Sequence, residues 1–381
     1  MDTGAEIAEK ADRVVRLLRD RGLGGVLLGT RPNFAWITGG KENGVDFSRE
    51  AGVATVMVGA DGRRWLIANA IEMPRMLGEE LAGQDLIPVE LPWTVEQEGS
   101  ERIAERAREA LGTSAPLAAD HVMGGAMSGL PVLDREIARA RYRLTPAEIA
   151  RYRDLGRDAG AVLGEVCRDL RTGLSEMEIA RLAAGALASR GMAAVVLLVG
   201  SGDRLTRFRH PLPACQTWER GGAMIVVCAR RAGLIAALTR IVWAGPVPAE
   251  IRRRTRAAAE VNARLLAATR PGAVGRGLFE VAVRAYADLG FPGEERLHHQ
   301  GGACGYLSRD WIAHPRCEEV VETWQAFAWN SSITGTKVEE TWIVSESSAE
   351  AITRTPEWPV IEVEVGGNVY ASPDVVSLGE I

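Results

Sequence analysis

The segment LTPAEIARYRDLGRDAG (144–160) decides how the chain is divided, because it carries a complete set of helix-start signals. Thr145 is predicted to cap the helix, Pro146 to occupy its first position, and Glu148 to complete a capping box with Thr145. A charged stretch at 134–144 leads into this helix. We therefore expect one domain to end and a second to begin at this point.

Short apolar strands alternate with amphipathic helices before this boundary. Strands are predicted at 24–29, 52–59 and 63–68, and helices near 70–83 and 100–111. Such alternation is typical of α/β domains. The sequence therefore predicts an N-terminal α/β domain over residues 1–140.

The remainder of the chain, 141–381, has a different order of elements. A second helix with Ser175 as its cap and Glu178 as the capping-box partner is expected to follow the first. Predicted strands at 193–200, 223–230 and 233–243 are followed by helices at 248–270 and 275–289 and by a long hairpin at 324–344. Strands followed by helices indicate an α+β domain.

Composition indicates a soluble globular enzyme. The chain has 381 residues, a hydrophobic fraction of 46% and a net charge of −5, with acids and bases interleaved. This balance predicts no nucleic-acid partner, and no apolar run reaches membrane-spanning length. With five scattered cysteines, reduced thiols and a cytoplasmic location are expected.

Histidine is scarce, and three of the five histidines lie within 298–314. The stretch RLHHQGGACGYLSRDW (296–311) places His299 just before two glycines, in a type of loop that lets an imidazole reach into a cavity. The same stretch carries Tyr306 and Arg309 as candidate substrate-binding residues. A turn with solvated histidines is the alternative interpretation.

A second candidate stretch, SGDRLTRFRHPLP (201–213), follows a predicted buried strand. It carries Arg204, Arg209 and His210, and arginines at this density suit a substrate with a carboxylate. A solvated loop of mixed charge is the alternative.

The predicted hairpin places Lys337 and Glu339 on one face of a strand, because they are two residues apart. Only three lysines occur in the chain, against 42 arginines among 45 basic residues, so a retained lysine indicates a position that a guanidinium cannot fill. An exposed strand with a cross-charge pair is the alternative.

The order of these motifs resembles peptidase family M24, whose members share the pita-bread fold. The helix at 144–160 is similar to the first helix of the family's catalytic domain, and TRPNFAWITGG (30–40) is similar to its creatinase-type N-terminal domain. The likeness covers nearly the whole chain. It implies a homodimer in which Trp36 could border the partner's cavity, and a small-molecule or peptide-like substrate.

The resemblance also implies positions for the family's two-metal centre, which two aspartates, one histidine and two glutamates normally hold. At the aspartate positions the chain has Cys228 and Ala237, and at the first glutamate position it has Asn330, which we expect to bind substrate instead. His299 and Glu339 are retained. The chain thus resembles a branch of the family that lacks metal ligands. We expect no cofactor, and a single zinc ion at Cys228, His299 and Glu339 is the disfavoured alternative.

Creatinase, a pita-bread enzyme that works without metal, has a cavity histidine to which His210 is similar. The resemblance therefore implies hydrolysis of a C–N bond in a small amino-acid-derived substrate. His210 would be the general acid/base, assisted by His299, Lys337 and Glu339. Three alternatives stay open: a lyase or cyclase using the same site, an inactive binding protein, and a true Xaa-Pro metallopeptidase.

Overall fold

The computed structural model of the protein describes residues 3–94, 101–121 and 129–379. The chain divides into two compact units, Met1–Arg141 and Tyr142–Ile381. No helix in the described ranges is both long enough and apolar enough to cross a membrane.

The N-terminal unit contains one mixed sheet and its covering helices. Its helices are α1 (Thr3–Asp20), α2 (Arg31–Ile37), α3 (Met73–Arg75), α4 (Glu101–Leu111) and α5 (Asp134–Tyr142). Its strands are β1 (Gly25–Thr30), β2 (Ala51–Gly59), β3 (Arg64–Asn69), β4 (Ile87–Leu91) and β5 (Leu117–Ala119), in the sheet order β4-β3-β2-β1-β5.

The helix predicted near 70–83 is shorter and irregular. The single turn α3 continues directly as a π-helical turn, Met76–Glu80. Gly78 lies in this π-helical turn, and glycine weakens a regular helix because of its backbone freedom.

Four of the five α-helices that the structure describes in the C-terminal unit begin where the sequence predicts, and the short third one was not predicted. The five helices are α6 (Pro146–Arg168), α7 (Glu176–Ser189), α8 (Arg204–Arg207), α9 (Ala249–Ala268) and α10 (Gly275–Asp288). Both predicted capping boxes are confirmed, with Thr145 and Glu148 at the start of α6 and Ser175 and Glu178 at the start of α7.

Two larger sheets and two small hairpins complete this unit. The first sheet contains β6 (Ala193–Ser201), β7 (Gly221–Arg231), β8 (Leu234–Ala244) and β18 (Val376–Ser377), in the order β18-β8-β7-β6. The second contains β9 (Gly301–Cys304), β10 (Trp311–Ile312), β11 (Gln325–Trp329), β14 (Glu340–Val344) and β15 (Ala349–Ala351), in the order β10-β9-β11-β14-β15. The hairpins are β12 (Ser332–Ile333) with β13 (Thr336–Lys337), and β16 (Val360–Val365) with β17 (Asn368–Pro373).

The two larger sheets are joined at β8 and β14. The Ala237 amide donates to the Thr341 hydroxyl oxygen at 2.8 Å, and that hydroxyl donates to the Ala237 carbonyl at 2.9 Å. A further hydrogen bond runs from the Thr239 amide to the Glu339 carbonyl at 3.2 Å. These bonds hold Glu339 and the start of β14 against β8.

Helix α6 lies against the segment that follows β15, and glycines make this close approach possible. A Cβ atom at Gly156 would lie 2.4 Å from the Ile352 carbonyl oxygen, and one at Gly160 would lie 2.4 Å from the Arg354 carbonyl oxygen. At Gly164 it would lie 2.4 Å from the Thr355 side chain. The three glycines, four residues apart, form one face. A larger residue would displace the backbone at Gly156 or Gly160 and the Thr355 side chain at Gly164.

Candidate active site

A cavity of about 350 Å³ opens in the C-terminal unit between the first sheet and the loops of the second. It has an apolar wall from β6, β7 and the loop after α8, and a polar wall from the histidine loop and the β11–β14 connection. Its lining residues are Val196, Leu198, His210, Leu212, Val226, Cys228, His299, Ser308, Arg309, Asn330, Lys337 and Glu339.

Cys228 and Ala237, at the two aspartate positions, are direct partners across the antiparallel pair β7 and β8. Both are buried, with exposures of 5% and 1%. Burial, with a smaller effect of Glu339, raises the pKa of the Cys228 thiol to about 11, so the thiol is neutral at pH 7. The paired positions therefore carry a thiol, which lines the cavity, and a methyl group, and neither carries a carboxylate.

Glu339 is enclosed by two cations. Its Oε1 atom accepts a hydrogen bond from Arg309 Nη2 at 2.8 Å, and its Oε2 atom lies 3.0 Å from Lys337 Nζ. Oε2 also accepts from the Thr239 hydroxyl at 2.7 Å. Burial would raise the pKa of the Glu339 carboxyl, but the charges of Lys337 and Arg309 lower it to about 2. Glu339 is therefore an ionised carboxylate with both oxygens engaged.

Three imidazoles cluster beside this ion group, although 88 residues separate His210 from His298. The rings of His298 and His299 are stacked with centroids 4.4 Å apart, and the His210 centroid lies 4.8 Å from that of His298 and 5.9 Å from that of His299. His298 is buried, whereas His210 is exposed at the rim. His298 Nε2 and His210 Nε2 lie 2.9 Å apart, within hydrogen-bond distance.

All three imidazoles are held in the neutral form. Burial, with a contribution from Lys337, lowers the pKa of His298 to about 3. Burial, followed by the charge of Arg309, lowers the pKa of His299 to about 4. The pKa of His210 is also lowered, mainly by burial and then by Lys337, while Glu339 opposes the shift.

The hydrogen bonds assign the proton on each neutral ring. His298 Nδ1 lies 2.5 Å from the His299 carbonyl oxygen, which only accepts, so Nδ1 carries the hydrogen and Nε2 has a lone pair. His210 Nε2 must then donate to His298 Nε2, which leaves the lone pair of His210 on Nδ1. The Gly301 amide donates to His299 Nδ1 at 3.2 Å, so His299 carries its hydrogen on Nε2. His210 is thus an acceptor and His299 a donor at the same cavity.

Two of the predicted arginines are engaged outside the cavity. Arg204 Nε lies 3.1 Å from Glu176 Oε1, and Arg204 Nη2 donates to the Leu212 carbonyl oxygen at 2.7 Å. Arg209 donates to Glu294 and, at 2.9 Å, to the Thr334 hydroxyl. The structure does not bring either guanidinium to the cavity wall, because acidic residues distant in sequence hold them in place.

Tyr306 and Trp36 also lie away from the cavity lining. The Tyr306 hydroxyl donates to Glu148 Oε1 at 2.7 Å and supports the start of α6. Trp36 is fully buried within the N-terminal unit, where Lys10 Nζ lies 5.9 Å from the centroid of its ring. Both aromatic side chains have packing roles in their own units.

His298 and Thr239 are site residues that we did not predict as functional. The signal for His298 was the adjacent pair His298 and His299, since the resemblance places a glycine at position 298. Thr239 gave no comparable signal, because its contact with Glu339 joins residues 100 positions apart.

The residues 150–346 match the model of metallopeptidase family M24, which covers just over half of the chain. The chain therefore belongs to metallopeptidase family M24. No protein with a curated description matches the chain by sequence.

Solved structures show the same fold over almost the whole chain. A dipeptidase from Mycobacterium ulcerans has a TM-score of 0.77 at 18% identity, covering 99% of each chain. The prolidase from Pyrococcus horikoshii OT3 has a TM-score of 0.74 at 17% identity, covering 91% of this chain and 98% of its own. The N-terminal domain of a FACT complex subunit from Cicer arietinum has a TM-score of 0.70 at 10% identity, covering 93% and 97%. The predicted pita-bread fold, with its N-terminal α/β domain, is confirmed.

Family membership corrects one prediction. We expected no cofactor, with a single zinc ion as the disfavoured alternative, but the family that the chain matches is a metallopeptidase family. The prediction drawn from the missing ligands is wrong on that ground.

The residues at the five ligand positions lack most of the donor groups that two metal ions require. Cys228 is a neutral thiol, Ala237 has no donor atom, and both oxygens of Glu339 are engaged by cations. This set does not fit the two-metal centre. In the ranges that the structure describes, one group of three potential ligands was found, His210, His298 and His299, with ligand atoms within 4.8 Å of one another. The Nε2 hydrogen of His299 and the nearby charge of Lys337 oppose a cation there.

Proposed function

We propose that the chain hydrolyses a C–N bond of a small amino-acid-derived substrate, an amide, an amidine or a peptide-like bond, with His210 as general acid/base. The observation that carries this proposal is the hydrogen bond between His298 and His210. It leaves a neutral imidazole with a lone pair on Nδ1, which is the form that a general base needs.

The roles of the other residues follow from their hydrogen bonds. Water would add to the carbon of the scissile bond while its proton passes to His210 Nδ1, and the same proton would then pass to the departing nitrogen. His299 Nε2–H would donate to the polarised atom of the substrate. Lys337 and Glu339, fixed to each other at 3.0 Å, would orient the substrate.

The test is a panel of dipeptides, small amides and guanidino acids incubated with the protein in water enriched in oxygen-18, with products followed by mass spectrometry. Hydrolysis places the heavy oxygen in the product. The variant His210→Ala should lower turnover by about 10²–10⁴-fold, the usual contribution of general acid–base catalysis.

His314→Ala is the matched control, because His314 is exposed and does not line the cavity. It should leave turnover unchanged, and circular dichroism should show that both variants are folded. Unchanged turnover in His210→Ala would remove the assignment of His210. A product without heavy oxygen would instead support the lyase or cyclase alternative.

A further inference from the structure

The charged side chains that line the cavity leave an excess of one positive charge. Arg309 and Lys337 are cations, Glu339 is the single anion, and His210 and His299 are neutral. The exposed fractions of the three charged side chains are 11%, 5% and 2%. Because Arg309 and Lys337 share the one carboxylate of Glu339, one buried positive charge is left unbalanced. An unbalanced buried charge is costly, and a bound anion would offset that cost.

Two buried polar atoms of residues that line the cavity lack partners within the described ranges. Arg309 Nε, a donor, and Asn330 Oδ1, an acceptor, are both buried and have no hydrogen bond. Asn330 is only 2% exposed, so bulk solvent does not supply the missing hydrogen bond. A ligand that offers an acceptor to Arg309 and an N–H to Asn330 would satisfy both atoms.

The opposite wall is apolar. Val196, Leu198, Leu212 and Val226 line it, and the volume of about 350 Å³ suits a molecule of the size of an acylated amino acid. The cavity therefore combines a surplus cation, an unpaired donor, an unpaired acceptor and an apolar surface.

We propose that this cavity binds a small monocarboxylate that also carries an N–H group and an apolar side chain, with the carboxylate held by Arg309 and Lys337 and the N–H by Asn330. This names the substrate class of the site and so rests on the proposed function. The carboxylate restores charge balance, and the N–H satisfies the buried amide oxygen.

Binding can be measured by isothermal titration calorimetry, with mass spectrometry of the recovered ligand as the check that no cleavage took place during the titration. N-acetyl-L-valine and N-acetyl-L-valinamide have the same shape and differ in one charge. We expect the acid to bind at least about tenfold more tightly than the amide, because the charge acts in a buried site. Equal affinities would overturn the proposal.

Two variants with the same number and branching of side-chain heavy atoms at one position separate charge from packing. Asn330→Asp adds a negative charge and removes the surplus, so it should weaken binding of the acid by at least about tenfold. Asn330→Leu removes the amide but keeps the surplus charge, so it should weaken the acid less than Asn330→Asp does. Equal losses in the two variants, or no loss in Asn330→Asp, would contradict the assignment.

Glu339→Gln tests the opposite direction, because it removes the only anion of the lining and should retain or tighten acid binding. A loss of acid binding in folded Glu339→Gln protein would overturn the proposal. His314→Ala should bind the acid as the unsubstituted protein does, since His314 is exposed and is not among the residues that line the cavity. Failure of the His210 mechanism would appear in turnover alone, whereas failure of this proposal would appear in these affinities.

Discussion

Lys337 Nζ lies 3.0 Å from Glu339 Oε2, and both side chains are almost completely removed from solvent. Each residue stabilises the charged form of the other in a place where an isolated charge would be costly. Arg309 holds the second oxygen of the same carboxylate. The three side chains therefore depend on one another for their stability.

Replacing Lys337 with Met should destabilise the protein by about 3 kcal/mol, because it removes one partner of a buried ion group. Urea unfolding measures this change. Arg153→Met is the control, since Arg153 and Glu350 form an ion pair with exposed fractions of 48% and 46%. The control should cost less than about 1 kcal/mol. An equally small loss of unfolding free energy for Lys337→Met would show that the remaining charges of the buried group do not depend on Lys337.

Replacing His298 with Phe should change the tautomer of His210. The substitution keeps the ring but removes the acceptor for His210 Nε2–H, so the preference for a lone pair on Nδ1 should be lost. Nitrogen-15 NMR of histidine-labelled protein measures the tautomers directly, and only five histidines give signals.

The His299 signals provide the internal control in that spectrum, because the Gly301 amide sets the tautomer of His299 through a separate hydrogen bond. An unchanged His210 spectrum in folded His298→Phe protein would show that His298 does not position His210.

Gly301→Ala should destabilise the protein by several kcal/mol. The backbone has φ +94° there, and an added Cβ atom would lie 2.1 Å from the Ala328 carbonyl oxygen. Gly290→Ala is the matched control, with φ +81° and nothing within 4 Å, and should cost about 1–2 kcal/mol from the left-handed conformation alone. Thermal unfolding compares the two. Equal losses would mean that backbone conformation, and not the close contact, requires a glycine at 301.

The stability contributed by His121 should fall as the pH rises. His121 Nδ1 lies 2.7 Å from Asp120 Oδ1, and this hydrogen bond raises the pKa of His121 above its ordinary value. Its contribution is complete below about pH 6.5, the ordinary histidine pKa, and is lost as the pH rises through the higher folded value.

Urea unfolding of the protein and of His121→Gln between pH 5.5 and about 8.5 tests this sign. The difference in unfolding free energy should be about 1 kcal/mol at the acid end and should shrink toward the alkaline end. A difference that grows with pH would contradict the assignment.

Local signals in the sequence predicted the main elements well. Thr145 and Glu148 identified the start of α6 because a capping box depends on residues only three positions apart. The strands predicted at 193–200 and 223–230 are seen as Ala193–Ser201 and Gly221–Arg231, since long runs of β-branched residues have few alternatives.

Contacts between distant residues were not predictable in the same way. The pairing of His210 with His298 depends on the fold of the whole unit, and neither local sequence contains a signal that predicts the contact. Arg204 and Arg209 were predicted to meet the substrate, but Glu176 and Glu294 engage them. The charge of an arginine is visible in sequence, whereas the partner that neutralises it is not.

The hairpin predicted at 324–344 shows the same limit on a smaller scale. Its outer strands β11 and β14 pair, but a second small hairpin, β12 with β13, is inserted between them. Lys337 ends the inserted hairpin and Glu339 lies just before β14, and their side chains meet at 3.0 Å. Alternation therefore predicted the right neighbours, although the inserted hairpin was missed.

The glycine face of α6 has a consequence for experiments that map function by saturation mutagenesis. Gly156, Gly160 and Gly164 meet backbone or side-chain atoms at 2.4 Å in place of any Cβ, so nearly every substitution there should abolish folding. Such positions would be as intolerant as those that line the cavity, although they never meet a ligand. A map of intolerant positions in this protein would therefore outline two regions, the glycine face of α6 and the cavity. Measuring protein abundance together with activity would distinguish them, because substitutions on the glycine face should lower abundance as well as activity.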